Sequence, residues 1–213
     1  MLKKKTIFLI PALLITMIYN NLFAKALSHE EISQAYYKSY NYEKSDNISD
    51  AIKTIQLVFS QYPSAFTVNN RLAHLYTLNK QYSNATNHYQ KAILALPGSL
   101  TPKLGLLYVY LLSEQYSSAS EIGYQIISID HYNYYGNLRL AHVLRKIKKY
   151  DLSEKLLVKI LTLYPSNTLY LTELGLLYFD QKDWYKAKDV MANVLILEPE
   201  NVAAKKVLLA IEK

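Results

Sequence analysis

Residues 168–201 decide the fold, and they read TLYLTELGLLYFDQKDWYKAKDVMANVLILEPEN. Apolar residues recur in this stretch with the spacing of two amphipathic helices, and the centre, DQKD, is polar. Five markers stand at positions 7, 8, 11, 20 and 32 of the 34-residue stretch: Leu174, Gly175, Tyr178, Ala187 and Pro199. Small residues at positions 8 and 20 let two helices approach closely, and a proline after the second helix stops it. The stretch therefore predicts a helix–turn–helix hairpin.

The same hairpin recurs along the chain. Four of the six prolines are separated by 34, 68 and 34 residues, so one proline is missing from a regular ladder, at His131: Pro63, Pro97, Pro165 and Pro199. This spacing predicts five repeats without insertion or deletion: 32–65, 66–99, 100–133, 134–167 and 168–201. A period of this length is typical of helical repeat arrays rather than of a closed globular core.

Three further columns support the frame. Position 20 always carries a small residue: Ala51, Ala85, Ala119, Ser153 and Ala187. Position 17 carries an apolar residue that we expect to anchor the turn: Ile48, Tyr82, Tyr116, Tyr150 and Trp184. Position 18 carries good capping residues in four repeats, and we expect these to cap the second helix: Ser49, Ser83, Ser117 and Asp151.

This pattern resembles that of the tetratricopeptide-repeat (TPR) family, over about 170 residues. The resemblance implies an all-α fold, a right-handed α-solenoid of helix–turn–helix repeats. It also implies that the first helices of the repeats line a concave groove, with positions 2, 5, 6, 9, 12 and 13 facing inward. Proteins of this family bind protein partners, so the expected function is binding rather than catalysis.

The ends of the array have their own signals. Ser28 and Glu31 form a capping box before the first helix. In repeat 1, Lys38 and Ser39 replace the apolar and small residues of positions 7 and 8, which suits a terminal repeat with a solvated face. Residues 202–213 predict a final capping helix whose apolar side covers repeat 5.

Residues 1–26 read as an export signal. Three lysines precede a mostly apolar run of 14 residues, Thr6 to Tyr19, which is short for a transmembrane helix. Ala24-Lys25-Ala26 then provides the small-x-small pattern of a cleavage site, so the predicted mature N-terminus is Leu27. An uncleaved anchor is the alternative. Both interpretations place the repeats outside the cytoplasm, either periplasmic or secreted, or anchored in the inner membrane and facing the periplasm.

Charge and composition exclude several classes of function. Without its four signal lysines the chain keeps 20 basic against 17 acidic residues, so the net charge falls from +7 to +3. A nucleic-acid partner therefore loses its main support. The absence of cysteine excludes disulfides, thiolate metal sites and cysteine nucleophiles. No phosphate-binding loop, nucleophile elbow or His-Glu-x-x-His motif occurs, so we expect no enzyme, no cofactor and no metal.

Repeat 3 is irregular. Gly123 stands at position 24, where a bulky residue usually packs, and a glycine within a helix costs about 1 kcal/mol relative to alanine. Two interpretations stay open: neutral sequence drift, or a soft joint in the array.

The resemblance maps a set of candidate binding residues onto the first helices. All three arginines of the chain fall on groove positions, and repeats 2 and 4 both carry Arg-x-x-His. The predicted groove residues are Tyr36, Tyr40, Arg71, His74, Leu104, Tyr108, Tyr135, Arg139, His142 and Arg145. Arginine suits a two-pronged grip on a carboxylate, and aromatic rings add contact area. The sequence thus predicts a groove with two basic sites, in repeats 2 and 4, and with apolar and aromatic side chains between them.

The function expected from these features is an exported scaffold that binds a protein or peptide partner bearing acidic groups. The resemblance implies an assembly role in the bacterial envelope, in a secretion, pilus, outer-membrane or polysaccharide-export complex. The alternative is a binding protein for an anionic polysaccharide or glycan. Membrane contact is expected only through the N-terminal segment if it is not cleaved.

Overall fold

The computed structural model describes residues 26–212, and in this range the chain is all-helical, with eleven α-helices and no strand. The helices are α1 His29–Lys44, α2 Ile48–Gln61, α3 Phe66–Leu78, α4 Tyr82–Ala95, α5 Leu100–Leu112, α6 Tyr116–Ile129, α7 Tyr134–Lys146, α8 Tyr150–Leu161, α9 Thr168–Asp180, α10 Trp184–Leu197 and α11 Val202–Ile211. Within the described range, none of them has both the length and the apolar character needed to cross a membrane. The predicted export signal lies outside these residues, apart from Ala26.

The helix boundaries follow the 34-residue period. Four first helices, α3, α5, α7 and α9, begin at residues 66, 100, 134 and 168. The second helices α4, α6, α8 and α10 begin at residues 82, 116, 150 and 184. The prediction of an all-helical array of helix–turn–helix repeats is confirmed by this arrangement.

The chain divides into two compact segments, one ending at Tyr62 and one beginning at Pro63. In the N-terminal segment, α1 and α2 pack together as a hairpin. The predicted capping box is present: the Glu31 N–H donates to Ser28 Oγ at 3.2 Å, and the Ser28 N–H donates to Glu31 Oε2 at 2.7 Å. This box starts α1 at His29, three residues before the repeat frame. Lys38 is exposed as expected, whereas Ser39 is fully buried.

In the C-terminal segment, α3 to α10 form four hairpins, and α11 packs on the last one. Each first helix contacts the next, so α3, α5, α7 and α9 form one row, and α9 also contacts α11. The small residues predicted at position 20 are all completely buried, in both segments: Ala51, Ala85, Ala119, Ser153 and Ala187. The only hydroxyl in this column, Ser153 Oγ, donates to the Ala141 carbonyl at 2.8 Å, so its burial leaves no polar group unsatisfied.

The end of the segment is covered by α11. Ala204 and Val207 are buried against Met191 and Val194 of α10, so the C-terminal helix packs as expected. Val202, the first residue of α11, is exposed.

The second helices are capped differently from the sequence expectation. Their N-cap is position 16, one residue before the helix, and position 18 already lies inside the first turn. The expectation that Ser49, Ser83, Ser117 and Asp151 act as N-caps is therefore wrong. At position 16, Asn47 and Asp183 accept side-chain capping bonds from the residues three positions later.

The turn between the two helices has a fixed backbone form in every repeat. Position 15 is left-handed, with φ between 56° and 63°, and never glycine: Asp46, Lys80, Glu114, Lys148 and Lys182. The next N–H donates back to the carbonyl of position 11, as Lys149 does to Leu144 at 2.8 Å. This is the Schellman geometry that ends a helix, adopted here by residues that pay a steric cost for it.

A side chain at position 4 joins consecutive repeats. Asn69 Nδ2 donates to the Pro63 carbonyl at 2.9 Å, and Asn137 Nδ2 donates to the His131 carbonyl at 3.2 Å. Lys103 Nζ makes the same bond to the Pro97 carbonyl. In these three repeats the acceptor is position 32 of the preceding repeat, so the bond helps to fix where α3, α5 and α7 start. Repeat 5 has Leu171 at position 4 and no donor for this bond.

Gly123 has a packing role in this fold. A Cβ at this position would lie 2.8 Å from Leu140 Cδ1, so the missing side chain lets α6 approach the completely buried Leu140 of α7. This close approach gives a physical reason for the glycine that neither interpretation of the sequence included.

Candidate functional site

Arg139 is the central residue of the candidate site. It lies on α7 and is partly buried, and its Nη1 donates to the Leu104 carbonyl of α5 at 2.9 Å. Its guanidinium carbon lies 4.8 Å from the ring centre of Tyr108 and 5.4 Å from that of Tyr135. These contacts fix the orientation of the cation and add about 0.5–1 kcal/mol each. The sequence-predicted residues Leu104, Tyr108, Tyr135 and Arg139 are thus brought together.

The charge of Arg139 has no acidic partner within the described part of the chain, where no carboxylate oxygen lies within 4.0 Å of it. Burial lowers the pKa of Arg139, and the neighbouring tyrosines partly oppose this effect. A guanidinium nevertheless remains charged at neutral pH. Because partly buried charges are normally paired, the structure leaves this cation able to accept an anion from outside.

Arg145, six residues further along α7, is already paired within the fold. Its Nε donates to Glu173 Oε1 at 2.6 Å and its Nη1 donates to Asp180 Oδ2 at 2.6 Å, both on α9. Burial alone would lower the pKa of Arg145, but the two carboxylates outweigh it and raise the pKa above its ordinary value. Arg145 therefore joins α7 to α9, and its charge is already neutralised within the fold.

His142 belongs to the same cluster. Its Nδ1 lies 3.1 Å from Glu173 Oε2 and 3.2 Å from Arg145 Nη2. Burial alone would raise the pKa of Glu173, but hydrogen bonds from His142 and Arg145 and the charge of Arg145 hold it below its ordinary value. The histidine of the Arg-x-x-His motif in repeat 4, His142, thus already contacts Glu173 within the fold.

Beside Arg139 opens a cavity of about 500 Å³. Its walls come from α5, α7, α9 and the start of α11, all within the C-terminal segment, and it is lined by Leu111, Leu138, Arg139, His142, Leu169, Thr172, Glu173, Glu198, Glu200, Asn201, Val202 and Ala203. Two of its apolar residues are strongly exposed, Leu169 by 52% and Val202 by 63%. Concave surfaces with apolar walls and a few charged groups are the usual form of a ligand site, and this cavity has both.

The remaining predicted groove residues lie elsewhere. Arg71 and His74 are on α3, the first helix that packs against α5; Arg71 is buried and His74 is partly buried. Tyr36 and Tyr40 belong to the N-terminal segment, where Tyr40 is about half exposed. Whether these residues contact a partner stays a prediction.

Sequence reasoning missed the acidic and C-terminal side of the site. Glu173 stands at position 6, the same column as Arg71 and Arg139, so a search of groove columns for acids as well as bases would have found it. Glu198 and Val202 lie at the junction of α10 and α11, outside the groove columns of the first helices. Across residues 26–212, no group of three or more metal-ligating side chains is placed to hold an ion.

Comparison with known proteins identifies the fold. No protein-family model matches the sequence, and no curated protein matches it by sequence. Solved structures do match. YrrB, a TPR protein with an unusual peptide-binding site, superposes with a TM-score of 0.72 at 14% identity, over 93% of this chain and 98% of its own.

Two other TPR-fold matches are similar in quality. A tetratricopeptide-repeat protein from Parabacteroides merdae gives a TM-score of 0.79 at 10% identity, over 85% of this chain and 72% of its own. MamA from Desulfovibrio magneticus gives 0.75 at 14% identity, over 83% and 99%. Identities this low establish the architecture alone.

Proposed function

We propose that this chain, which has the tetratricopeptide-repeat fold, is a protein-binding scaffold that holds an extended segment of a partner against α5, α7, α9 and α11. The observation that carries the proposal is Arg139. It is a cation without a carboxylate in the described chain, held against two tyrosine rings at the edge of an apolar cavity. A carboxylate from a partner can satisfy this charge while apolar side chains of the same segment cover Leu169 and Val202.

A peptide fits this surface better than an anionic glycan. Glu173, Glu198 and Glu200 line the same cavity as Arg139. A polysaccharide with a negative charge in every repeat unit would bring like charges against these carboxylates, whereas a peptide can present an acid to Arg139 alone. The peptide-binding site of YrrB, on the same fold at low identity, agrees with this choice.

We further propose that the scaffold is exported and serves an assembly complex of the bacterial envelope. The support is the sequence of residues 1–26, with its lysines, short apolar run and Ala24-Lys25-Ala26. The nitrogen of Leu27 donates to Gln61 Oε1 at 2.7 Å, and this bond is compatible with cleavage before Leu27, because a free amino group still donates. Intact-mass analysis of the protein from the envelope fraction tests the point: a mature chain starting at Leu27 supports export with processing, and retained Met1 favours the anchor.

Binding itself is tested by selecting peptides from a random display library on the purified protein and titrating the best binders. Arg139→Gln removes the charge and should weaken binding by about 1.5–3 kcal/mol, the usual worth of a charged hydrogen bond. This corresponds to roughly 10- to 150-fold in the dissociation constant. Lys188→Ala, an exposed charge removal on α10, is the matched control. Lys188→Ala should bind like the parent. If the library yields no binder, or if Arg139→Gln also binds as tightly as the parent, the proposed function is wrong.

A further inference from the structure

We infer that the partner segment is charge-ordered: it presents an acidic side chain to Arg139 and a basic side chain to Glu198, about five residues apart, with apolar side chains between them. This inference rests on the proposed function and adds the chemistry of the ligand. It follows from which charges of the cavity are already satisfied within the fold and which are not.

The charged or titratable side chains that line the cavity are five: Arg139, His142, Glu173, Glu198 and Glu200. Contacts within the fold compensate three of these, namely His142, Glu173 and Glu200. Glu173 is held by Arg145 and His142. Glu200 pairs with Lys205 at 2.7 Å, although this pair is exposed and such pairs contribute little. Arg139 and Glu198 remain as the two uncompensated charges, and they are opposite in sign.

Glu198 stands where α10 ends and is exposed. Its Oε2 accepts a hydrogen bond from Asn201 Nδ2 at 3.1 Å, which orients the carboxylate without neutralising it. In the described range, no lysine, arginine or histidine nitrogen lies within 4.0 Å of Glu198. A basic side chain of a bound segment would therefore meet an available carboxylate there.

The two charges stand on, or just before, the first and the last of the three successive helices α7, α9 and α11, all of which line the cavity. Arg139 is on α7, and Glu198 precedes α11, while α9 contacts both of these helices. Neighbouring helix axes are about 8–10 Å apart, so two steps across the row span roughly 16–20 Å. An extended chain advances about 3.3–3.6 Å per residue. The acid and the base of the ligand are thus separated by about five residues.

The floor between the charges is apolar. Leu138, Leu169, Val202 and Ala203 line the cavity between α7 and α11, and Thr172 already accepts a bond from Asn201 Nδ2 at 3.3 Å. A ligand with apolar residues between its two charges buries this floor without leaving a polar group unpaired. A uniformly acidic segment would satisfy Arg139 but would bring a second carboxylate against Glu198.

The inference is tested on peptides of 12 residues selected from a random library against the purified protein. We expect the enriched peptides to share an acid and a base separated by four to six positions with an apolar residue between. In synthetic peptides, replacing the acid by its amide should weaken binding at least tenfold. Arg139→Gln should remove the effect of this replacement and leave the effect of replacing the base unchanged.

Charge reversal at the other end provides the second test. Glu198→Lys should weaken the selected peptides several-fold and strengthen peptides in which the base is replaced by an acid. Glu198 is exposed, so this variant is expected to fold normally, and Lys188→Ala serves again as the control. Circular dichroism checks the helical content of each variant.

The possible failures are distinguishable. If peptides bind and Leu169→Glu abolishes binding, but no charge order is enriched and Glu198→Lys has no effect, the inference is overturned and the scaffold function stands. If the selected peptides also bind the Leu169→Glu and Arg139→Gln variants like the parent, they use another surface, and both the inference and the proposed groove are wrong.

Discussion

Arg145 and Glu173 form an ion pair across two successive first helices, with Nε and Oε1 2.6 Å apart and only 6% and 9% of their side chains exposed. The pair ties α7 to α9, and Glu173 also lines the cavity of the candidate site. A charge buried to this degree contributes to stability only while its partner is present, because removal of one member leaves the other desolvated.

Glu173→Gln should therefore destabilise the protein. Removing one member of a buried pair typically costs about 3–5 kcal/mol, and we expect about 2 kcal/mol here because Asp180 still holds Arg145. The measurement is the free energy of urea unfolding at pH 7. Asp189→Asn removes an exposed acid from α10 and should change stability by less than about 0.5 kcal/mol. Equal losses in the two variants would contradict the role assigned to the pair.

The loss of stability caused by Glu173→Gln should depend on pH. The pKa of Glu173 in the folded chain lies below its ordinary value of 4.5, so the carboxylate stabilises the fold above about pH 4.5. Its contribution is lost as the pH falls through the lowered pKa. The difference in unfolding free energy between the parent and Glu173→Gln should accordingly shrink as the pH is lowered from 7 to 3.5.

Gly105 illustrates a different constraint, since a Cβ there would lie 2.2 Å from Cζ of the buried Tyr89 ring. Alanine would gain up to about 1 kcal/mol in helix propensity, but overpacking a filled interior costs about 1–3 kcal/mol. Gly105→Ala should thus lose about 1 kcal/mol in urea unfolding. Gly98→Ala is the control: nothing lies within 4 Å of its Cβ, so we expect no loss. A stable Gly105→Ala protein would mean that Tyr89 moves aside easily.

The repeat frame could be predicted from the sequence because its signals are local and recur. Small residues at position 20 and the capping box at Ser28 depend on neighbours within one hairpin or one turn, and both are present. The N-cap position of the second helices was harder to predict from the sequence. The left-handed residue that precedes each N-cap is a lysine, aspartate or glutamate rather than glycine. Residue type gave no indication of that backbone conformation.

The site was less predictable than the frame. Arg139 and Arg145 both occupy groove columns of one helix, and the sequence does not distinguish them. The distinction arises from Glu173, which is 28 residues from Arg145 in sequence and meets it only when α7 and α9 pack. Whether a charge is available to a partner depends on such contacts between repeats, which column analysis of single helices omits.

Ala187 tests the repeat frame directly. It is completely buried in the core where α9 and α10 meet. Ala187→Asp should lose several kcal/mol, because it places an unpaired charge in a dry contact. Ala192→Asp, at an exposed position of the same helix, should cost less than about 1 kcal/mol. Similar urea midpoints for the two variants would show that position 20 is not the helix contact.

The left-handed position of the turn offers a gain in stability. Lys148 has φ 60°, a conformation that costs an ordinary residue about 1–2 kcal/mol. Glycine adopts it freely but loses more entropy on folding, so Lys148→Gly should gain up to about 1 kcal/mol in urea unfolding. Lys155→Gly, an exposed position within α8, should instead lose about 1 kcal/mol. Destabilisation by both substitutions would contradict the strain assigned to the turn.

His88 gives the fold a second pH dependence, in a range where carboxylates do not titrate. Asn69 uses both hydrogens of its amide on the Pro63 and Ala65 carbonyls, so its Oδ1 accepts from His88 Nδ1 at 2.9 Å. The His88 ring also stacks on Tyr76, with ring centres 5.4 Å apart. Burial, aided by the charge of Lys91, lowers the pKa of His88 from 6.5 to about 4.

The folded chain therefore keeps His88 neutral where the unfolded chain protonates it, and stability falls as the pH drops below 6.5. Between pH 6.5 and 5 this loss is separate from that of Glu173, whose effect begins at lower pH. His88→Gln removes the titrating group, so its unfolding free energy should vary less with pH over this range than that of the parent. Exposed His131→Gln is the control and should retain the dependence of the parent. If the His88 variant has the same pH dependence as the parent, the imidazole is not held neutral by the α3–α4 contact.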